Sequence, residues 1–233
     1  PSVGWLILTD NKISSLPPSI GNLTRLQKFM LSSNRLTHPP VEMRKCLNLE
    51  LIRLSNNRFT EFPLFLLESC PRLSWLAFAA NPLLGNIDIS AVESNLPKVD
   101  FTNLTIGKVL GTGASGQVVD CQWDNRTLAL KMYQAQVTSD GLPKDEINAM
   151  IKMGKHPNTL SVLAVVENTP NDFPGLLLPL IPPSYTILGN PPSFQTISRD
   201  CYPEGTCLTL KAAKNILLHI SSVCEQLHSK QLT

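Results

Sequence analysis

Hydrophobic positions in the first part of the chain recur at a fixed interval. Asn11, Asn34, Asn57 and Asn81 are spaced by 23, 23 and 24 residues. Each is preceded by the pattern apolar-x-x-apolar-x-apolar-x-x-Asn. The apolar members are Val3, Leu6 and Leu8; Leu26, Phe29 and Leu31; Leu49, Ile52 and Leu54; Leu73, Leu76 and Phe78. This predicts a stack of turns, each with one short strand whose leucines fill a shared core. No single turn can bury its own apolar face, so stability must come from neighbours. The asparagine amide then bridges backbone groups of successive turns that would otherwise be buried unpaired. Cys46 and Cys70 lie one repeat apart and read as buried small apolar residues.

The positions between the core residues should face outward on the strand side: Trp5, Ile7 and Thr9; Lys28, Met30 and Ser32; Leu51, Arg53 and Ser55; Trp75, Ala77 and Ala79. Large apolar and aromatic side chains stand on these rows. Trp5, Met30, Arg53 and Trp75 are the candidate contacts for a protein partner. Equally open is a structural role for the patch, covering the adjoining domain or a further neighbour. The pattern resembles the leucine-rich repeat family over roughly residues 1–90, which implies an α/β solenoid. The chain opens inside a repeat with no polar cap before Val3, so the sequence reads as cut from a longer protein. Residues 88–102 lead out of the repeats without a glycine/serine tract, too short a join to let two domains roam freely.

Beyond residue 100 the periodicity changes. Thr105 to Leu110 reads as a strand entering Leu110-Gly111-Thr112-Gly113-Ala114-Ser115-Gly116-Gln117-Val118, with the spacing G-x-G-x-x-G-x-V. Gln117 to Trp123 alternates and reads as a strand, Asp124-Asn125-Arg126 as a turn, and Thr127 to Tyr133 as a second strand. Lys131 ends the apolar run Leu128-Ala129-Leu130, thirteen residues after Val118. Strand–loop–strand excludes a Rossmann turn, which would open directly into a helix. A Walker loop also fails, because Gln117-Val118 stand where Lys-Ser/Thr must be. The remaining readings are a glycine-rich hairpin and a clamp in which backbone N–H groups approach phosphates and one ammonium reaches them. Residues 143–151 predict a helix, with Pro143 in its first turn and Ile147, Met150 and Ile151 on one face. Leu160 to Glu167 and Gly175 to Leu180 read as strands. Five prolines (Pro182, Pro183, Pro191, Pro192, Pro203) mark Pro182 to Gly205 as an irregular loop. Thr209 to His228 carries one apolar helical face: Ala213, Ile216, Leu217, Ile220, Val223, Cys224 and Leu227.

From Phe101 onward the chain resembles a protein kinase small lobe, followed by the first helix of the large lobe. The resemblance implies an α+β lobe over about 101–181, then hinge, loop and helix over 182–233, beside a solenoid domain over 1–100. It implies that Leu110, Gly111, Gly113, Gly116, Val118 and Ala129 surround ATP and that Lys131 holds its α and β phosphates. It implies Glu146 as the carboxylate paired with Lys131; Asp145 is adjacent, and both acids also suit a helix start. Leu178 would guard the back of the pocket, and Leu180 or Ile181 would supply the hinge donor, since Pro179 has none. His156 reads as a turn residue and not as a base. The family's His-Arg-Asp and Asp-Phe-Gly motifs do not occur in the 233 residues, and Asp172 and Asp200 lack the flanking pattern. The ligands for magnesium would therefore lie outside this sequence, and no metal ligand is assigned.

Composition narrows the choice further. Net charge is +2 with acids and bases mixed, which argues against charge-driven nucleic-acid binding. No run of eighteen apolar residues marks a membrane span, and the start resembles no signal peptide. Six cysteines without paired spacing suggest reduced thiols in the cytoplasm and no zinc site. The expectation is a kinase that moves the ATP γ-phosphate to protein Ser/Thr, with repeats recruiting a substrate or regulator. The rival is a catalytically inactive kinase-like scaffold for protein interaction.

Overall fold

The computed structural model describes residues 2–85, 95–113, 115–134, 140–171, 173–192, 196–197 and 201–232. Asp172, Asp200 and positions 88–94 of the join lie outside them. The chain divides into two compact units: residues 1–86 with 137–142 and 187–203 form the first, and the rest form the second.

The first unit is a repeat-type fold. Four three-residue strands, β1 (Trp5–Ile7), β2 (Lys28–Met30), β3 (Leu51–Arg53) and β4 (Trp75–Ala77), form one parallel sheet in chain order. The register is in phase: Trp5 pairs with Lys28, Lys28 with Leu51, and Leu51 with Trp75. The return path uses 3-10 turns at Pro18–Asn22 and Val41–Lys45, then a short helix α1 (Phe65–Ser69). Leu26, Phe29, Leu31, Leu49, Ile52 and Leu54 are fully buried in one core with Phe78. Val3, just ahead of β1, is exposed.

Asparagine does what the spacing requires. Asn57 Nδ2 donates to the carbonyls of Leu31 and Leu54, each at 3.0 Å, and its Oδ1 accepts from Leu36 N–H at 3.0 Å. Asn34 and Asn81 repeat the arrangement one turn either side. A thiol ladder runs beside it: Cys46 Sγ lies 3.7 Å from the Ile20 carbonyl and Cys70 Sγ 3.9 Å from that of Met43. Burial raises both thiol pKa values above the ordinary range.

The residue before every ladder asparagine is left-handed. Asp10, Ser33, Asn56 and Ala80 have φ of 58°, 59°, 54° and 57°. Alanine has no side-chain hydrogen bond to offset that conformation, which costs an L-residue roughly 1–2 kcal/mol. Ala80→Gly should therefore raise stability by about 0.5–1 kcal/mol, the gain being trimmed by glycine's unfolded-state entropy. Urea unfolding of the two proteins side by side checks it.

The second unit is built on a six-stranded sheet with the order β5-β9-β10-β8-β7-β6. Its strands are β5 (Lys98–Asp100), β6 (Thr105–Gly113), β7 (Gly116–Trp123), β8 (Arg126–Tyr133), β9 (Ala164–Glu167) and β10 (Gly175–Pro179). Asp124 and Asn125, both with positive φ, make the tight turn between β7 and β8. The strand expected from Leu160 begins only at Ala164, after a turn at residues 157–159 and a stretch whose Leu163 N–H already donates to the Leu177 carbonyl. The sheet separates two cores. Val119, Cys121, Leu128, Leu130, Ala164, Val166 and Leu177 fill one side. Ala129, Tyr133, Val165, Leu176 and Leu178 fill the other, under helix α2 (Pro143–Met153), which contributes Ile147 and Ile151. Pro179 is tolerated because β9 ends opposite Leu177, so the proline pairs on the β8 side only.

Helix α3 (Leu210–Ser229) starts on a Thr209 cap whose hydroxyl accepts from Ala212 N–H. Gln226 ties it to α2 by donating to the Met153 and Lys155 carbonyls at 2.7 and 3.2 Å. Its apolar face is formed as the spacing predicts but not buried: Leu217 is 64% and Ile220 53% exposed. Among the described residues, no helix is long and apolar enough to cross a membrane.

Candidate functional site: the sheet face under helix α2

Residues directly opposite one another in a sheet project to the same side. Gly111 pairs with Val118, Val118 with Lys131, and Lys131 with Leu176. Ala129 and Tyr133 flank Lys131 on that side, and Leu178 pairs with Ala129. Val118, Ala129, Lys131 and Leu178 thus share the face that α2 covers in part.

Gly111 reaches this face through a bulge. Val109 pairs with Val119, yet Gly111 pairs with Val118, so Leu110 is an extra residue. In an unbroken ladder Leu110 would stand opposite Val118. The bulge moves Leu110 out of register, 42% exposed, and sets a glycine beside Val118 instead. A second irregularity lies between Ile106 and Val109. Along the whole of β6 the side chains are exposed, and among the described residues β7 alone pairs with it in the sheet.

The three glycines differ in what they do. Gly116 has φ +152°, and a Cβ there would lie 2.0 Å from the Met132 carbonyl oxygen, so the hairpin itself demands glycine. Gly111 and Gly113 have ordinary extended backbone, and a Cβ at either would meet nothing within 4 Å. The fold has no need of glycine at these two positions. They leave open space beside the backbone, as an approaching group would require.

Lys131 Nζ is paired with Glu146 Oε1 across the strand–helix gap. The lysine side chain is 19% exposed and the glutamate 39%, so the pair is half in water. Pro143 starts α2, which puts Glu146 in its first turn. The lysine ammonium also lies 5.0 Å from the Tyr133 ring centroid. Tyr133 is buried, and burial, with the Glu146 carboxylate beside it, pushes its phenol well above the usual range. Tyr133 was not singled out from sequence; its place two residues from Lys131 on one strand is the signal that could have found it. Leu178 is buried, Leu180 is half-buried and Ile181 is 54% exposed past the end of β10. His156 orders a turn, its Nδ1 accepting from Asn158 N–H at 3.1 Å. Among the described residues no cluster of His, Cys, Asp and Glu could hold a metal.

No family model matches the chain. A curated protein of Acanthamoeba polyphaga mimivirus, named by assignment as a serine/threonine-protein kinase/receptor, is 28% identical over 96 residues. That match covers 40% of this chain and 6% of the relative's length. It is a distant and partial likeness to a protein with a kinase name. A solved leucine-rich-repeat protein of Leptospira interrogans aligns at 35% identity with 32% of this chain and 19% of its own, with a TM-score of 0.31. A superposition at that score carries no argument; the repeat-type fold rests on strand register and the asparagine ladder.

The candidate partner face of the repeats is more covered than its sequence pattern implies. Trp75 is exposed, while Trp5 and Met30 are half-buried. Leu51, Ser32 and Ser55, expected to point outward freely, are buried. Arg53 is ion-paired through Nε with Asp140 Oδ1 at 2.9 Å, and the Asp140 carbonyl accepts from Ser55 Oγ at 2.9 Å. Asp140 belongs to the same compact unit. Its seat on the strand side could not be read from a spacing of 87 residues in sequence.

Proposed function

We propose that the second unit is the ATP-binding part of a protein kinase that transfers the γ-phosphate to protein Ser/Thr, and that the repeats recruit a protein partner. The observation that carries it is the combination of two non-structural glycines, Gly111 and Gly113, with Lys131 on the same sheet and Glu146 beside it. Extended backbone without Cβ atoms lets N–H groups approach phosphate oxygens. Val118 and Ala129 offer apolar cover for a base, and Lys131 an ammonium for the phosphates. Glu146 holds that ammonium in one direction while it waits. The partial likeness to a kinase-named protein agrees with this reading. Magnesium, when bound, would neutralise phosphate charge during transfer; its ligands belong outside these residues.

The glycines provide a test that separates fold from function. Gly116→Ala should cost about 2–4 kcal/mol of stability through strain and overlap with Met132. The double variant Gly111→Ala/Gly113→Ala should leave stability within about 0.5 kcal/mol per site, yet weaken magnesium-ATP binding about 10-fold by holding the backbone away from phosphate. Denaturant unfolding reads the stabilities, and calorimetric titration of folded protein reads the affinity. Unchanged affinity in the double variant would leave the loop as a plain hairpin.

A second reading is an inactive kinase-like scaffold for protein interaction. Phosphoryl transfer by the full-length protein, with magnesium-ATP and a Ser/Thr peptide library, decides between them.

A further inference from the structure

The strand side of the repeats sets two cations between two indoles. Lys28 Nζ lies 4.6 Å from the Trp5 ring centroid, and the Arg53 guanidinium 5.4 Å from that of Trp75. Strand register sets Trp5, Lys28, Leu51 and Trp75 in one row, with Arg53 in the next. Each cation is therefore backed by an aromatic wall that limits where its charge can point. Burial and the nearby Arg53 charge lower the Lys28 pKa, and Asp140 offsets this only in part. Asp140 thus neighbours both cations.

Asp140 shows how that strip takes an acidic group. Its carboxylate meets Arg53 and its backbone carbonyl accepts from Ser55, a side-chain and a main-chain contact from one residue. Its side chain is 49% exposed. A half-exposed ion pair is a weak tie, readily exchanged for an equivalent group.

We propose that this face is a docking strip for an acidic peptide segment of a protein partner, and that Asp140 occupies it as an internal stand-in. The inference rests on the recruiting role given to the repeats and names the chemistry of what is recruited. One partner carboxylate takes Asp140's place on Arg53, a second reaches Lys28, and apolar side chains of the segment lie on Trp5, Met30 and Trp75. Charge complementarity supplies the selection, and the indoles supply contact area.

The test uses the whole chain and a synthetic peptide with the sequence of residues 137–142, compared with the same peptide bearing Asn for Asp. Indole N–H resonances report the site, since Trp5 and Trp75 line it and Trp123 lies in the other sheet. Asp140→Asn protein should bind the acidic peptide about fivefold more tightly than wild type, because the internal competitor is weakened. Only the Trp5 and Trp75 resonances should move. Adding Arg53→Gln, or Lys28→Gln should the first variant unfold, should weaken binding at least tenfold, as should raising salt. If the Asn peptide binds equally with the same shifts, the face still recruits peptides and the acidic preference is wrong. If neither peptide moves either resonance, the docking strip itself is wrong. Neither outcome touches ATP binding, which is titrated separately in the same sample.

Discussion

Asn57→Ala should lower the stability of the repeat unit by about 3 kcal/mol, whereas Asn11→Ala should cost less than about 1 kcal/mol. The residues are the same type at the same repeat position, and what separates them is burial. Asn57 is 7% exposed and satisfies carbonyls of two successive turns and the Leu36 N–H. Removing its amide leaves these groups sealed from water without a partner. Asn11 is exposed and its side-chain amide donates to the Leu8 and Thr9 carbonyls of its own turn, so water replaces it. Denaturant unfolding followed by circular dichroism measures the difference. Because each turn is held by its neighbours, the loss at Asn57 should spread to both adjacent turns and lower cooperativity as well as midpoint. Equal effects at the two positions would show that the ladder is not what holds the turns in register.

Lys131→Met should weaken magnesium-ATP binding about 100-fold while leaving the fold nearly unchanged. A charge-assisted contact to phosphate contributes about 2–3 kcal/mol, which is a factor of that size. Methionine keeps the apolar stem against Val118 and Leu176. The abandoned Glu146 carboxylate is 39% exposed and can turn to water, so the partner left behind costs little. Glu146→Gln should give a smaller loss, about several-fold, because the lysine remains but is no longer aimed. Calorimetry on both variants, with thermal unfolding as the control, distinguishes a lost contact from a lost fold. ATP binding unaltered by Lys131→Met would remove the basis for the nucleotide reading.

Much of the repeat unit was legible because its physics is periodic. Leucine spacing and asparagine spacing report the same turn, and both are local. The left-handed residue before each asparagine was not legible. Asp10 and Asn56 would suggest it alone, but Ser33 and Ala80 would not, and only the stacked backbone imposes it. The outward face was misjudged at Leu51, Ser32 and Ser55, since what covers a strand position depends on chain far away in sequence.

In the second unit, the glycine spacing and Lys131 were readable, and so was α2 from Pro143 and its apolar face. β5 was missed, because three residues are too few to show a period. The apolar face of α3 was correctly placed on one side, but periodicity says which residues align and not whether anything covers them. The bulge at Leu110 was also invisible, for it exists only as a mismatch between two strands.

That bulge has a bearing on how this stretch tolerates change in length. A strand normally accepts conservative replacements and rejects a one-residue deletion, which inverts everything beyond it. Here the surplus residue sits at the point where inversion has already been used once. Losing Leu110 would restore an unbroken ladder, with Val109 still opposite Val119 and Gly111 still opposite Val118, so no position on either side would have to turn over. The hairpin tip is thus insulated from the strand that feeds it, so variation in the lead-in can accumulate as length as well as identity without disturbing the glycines.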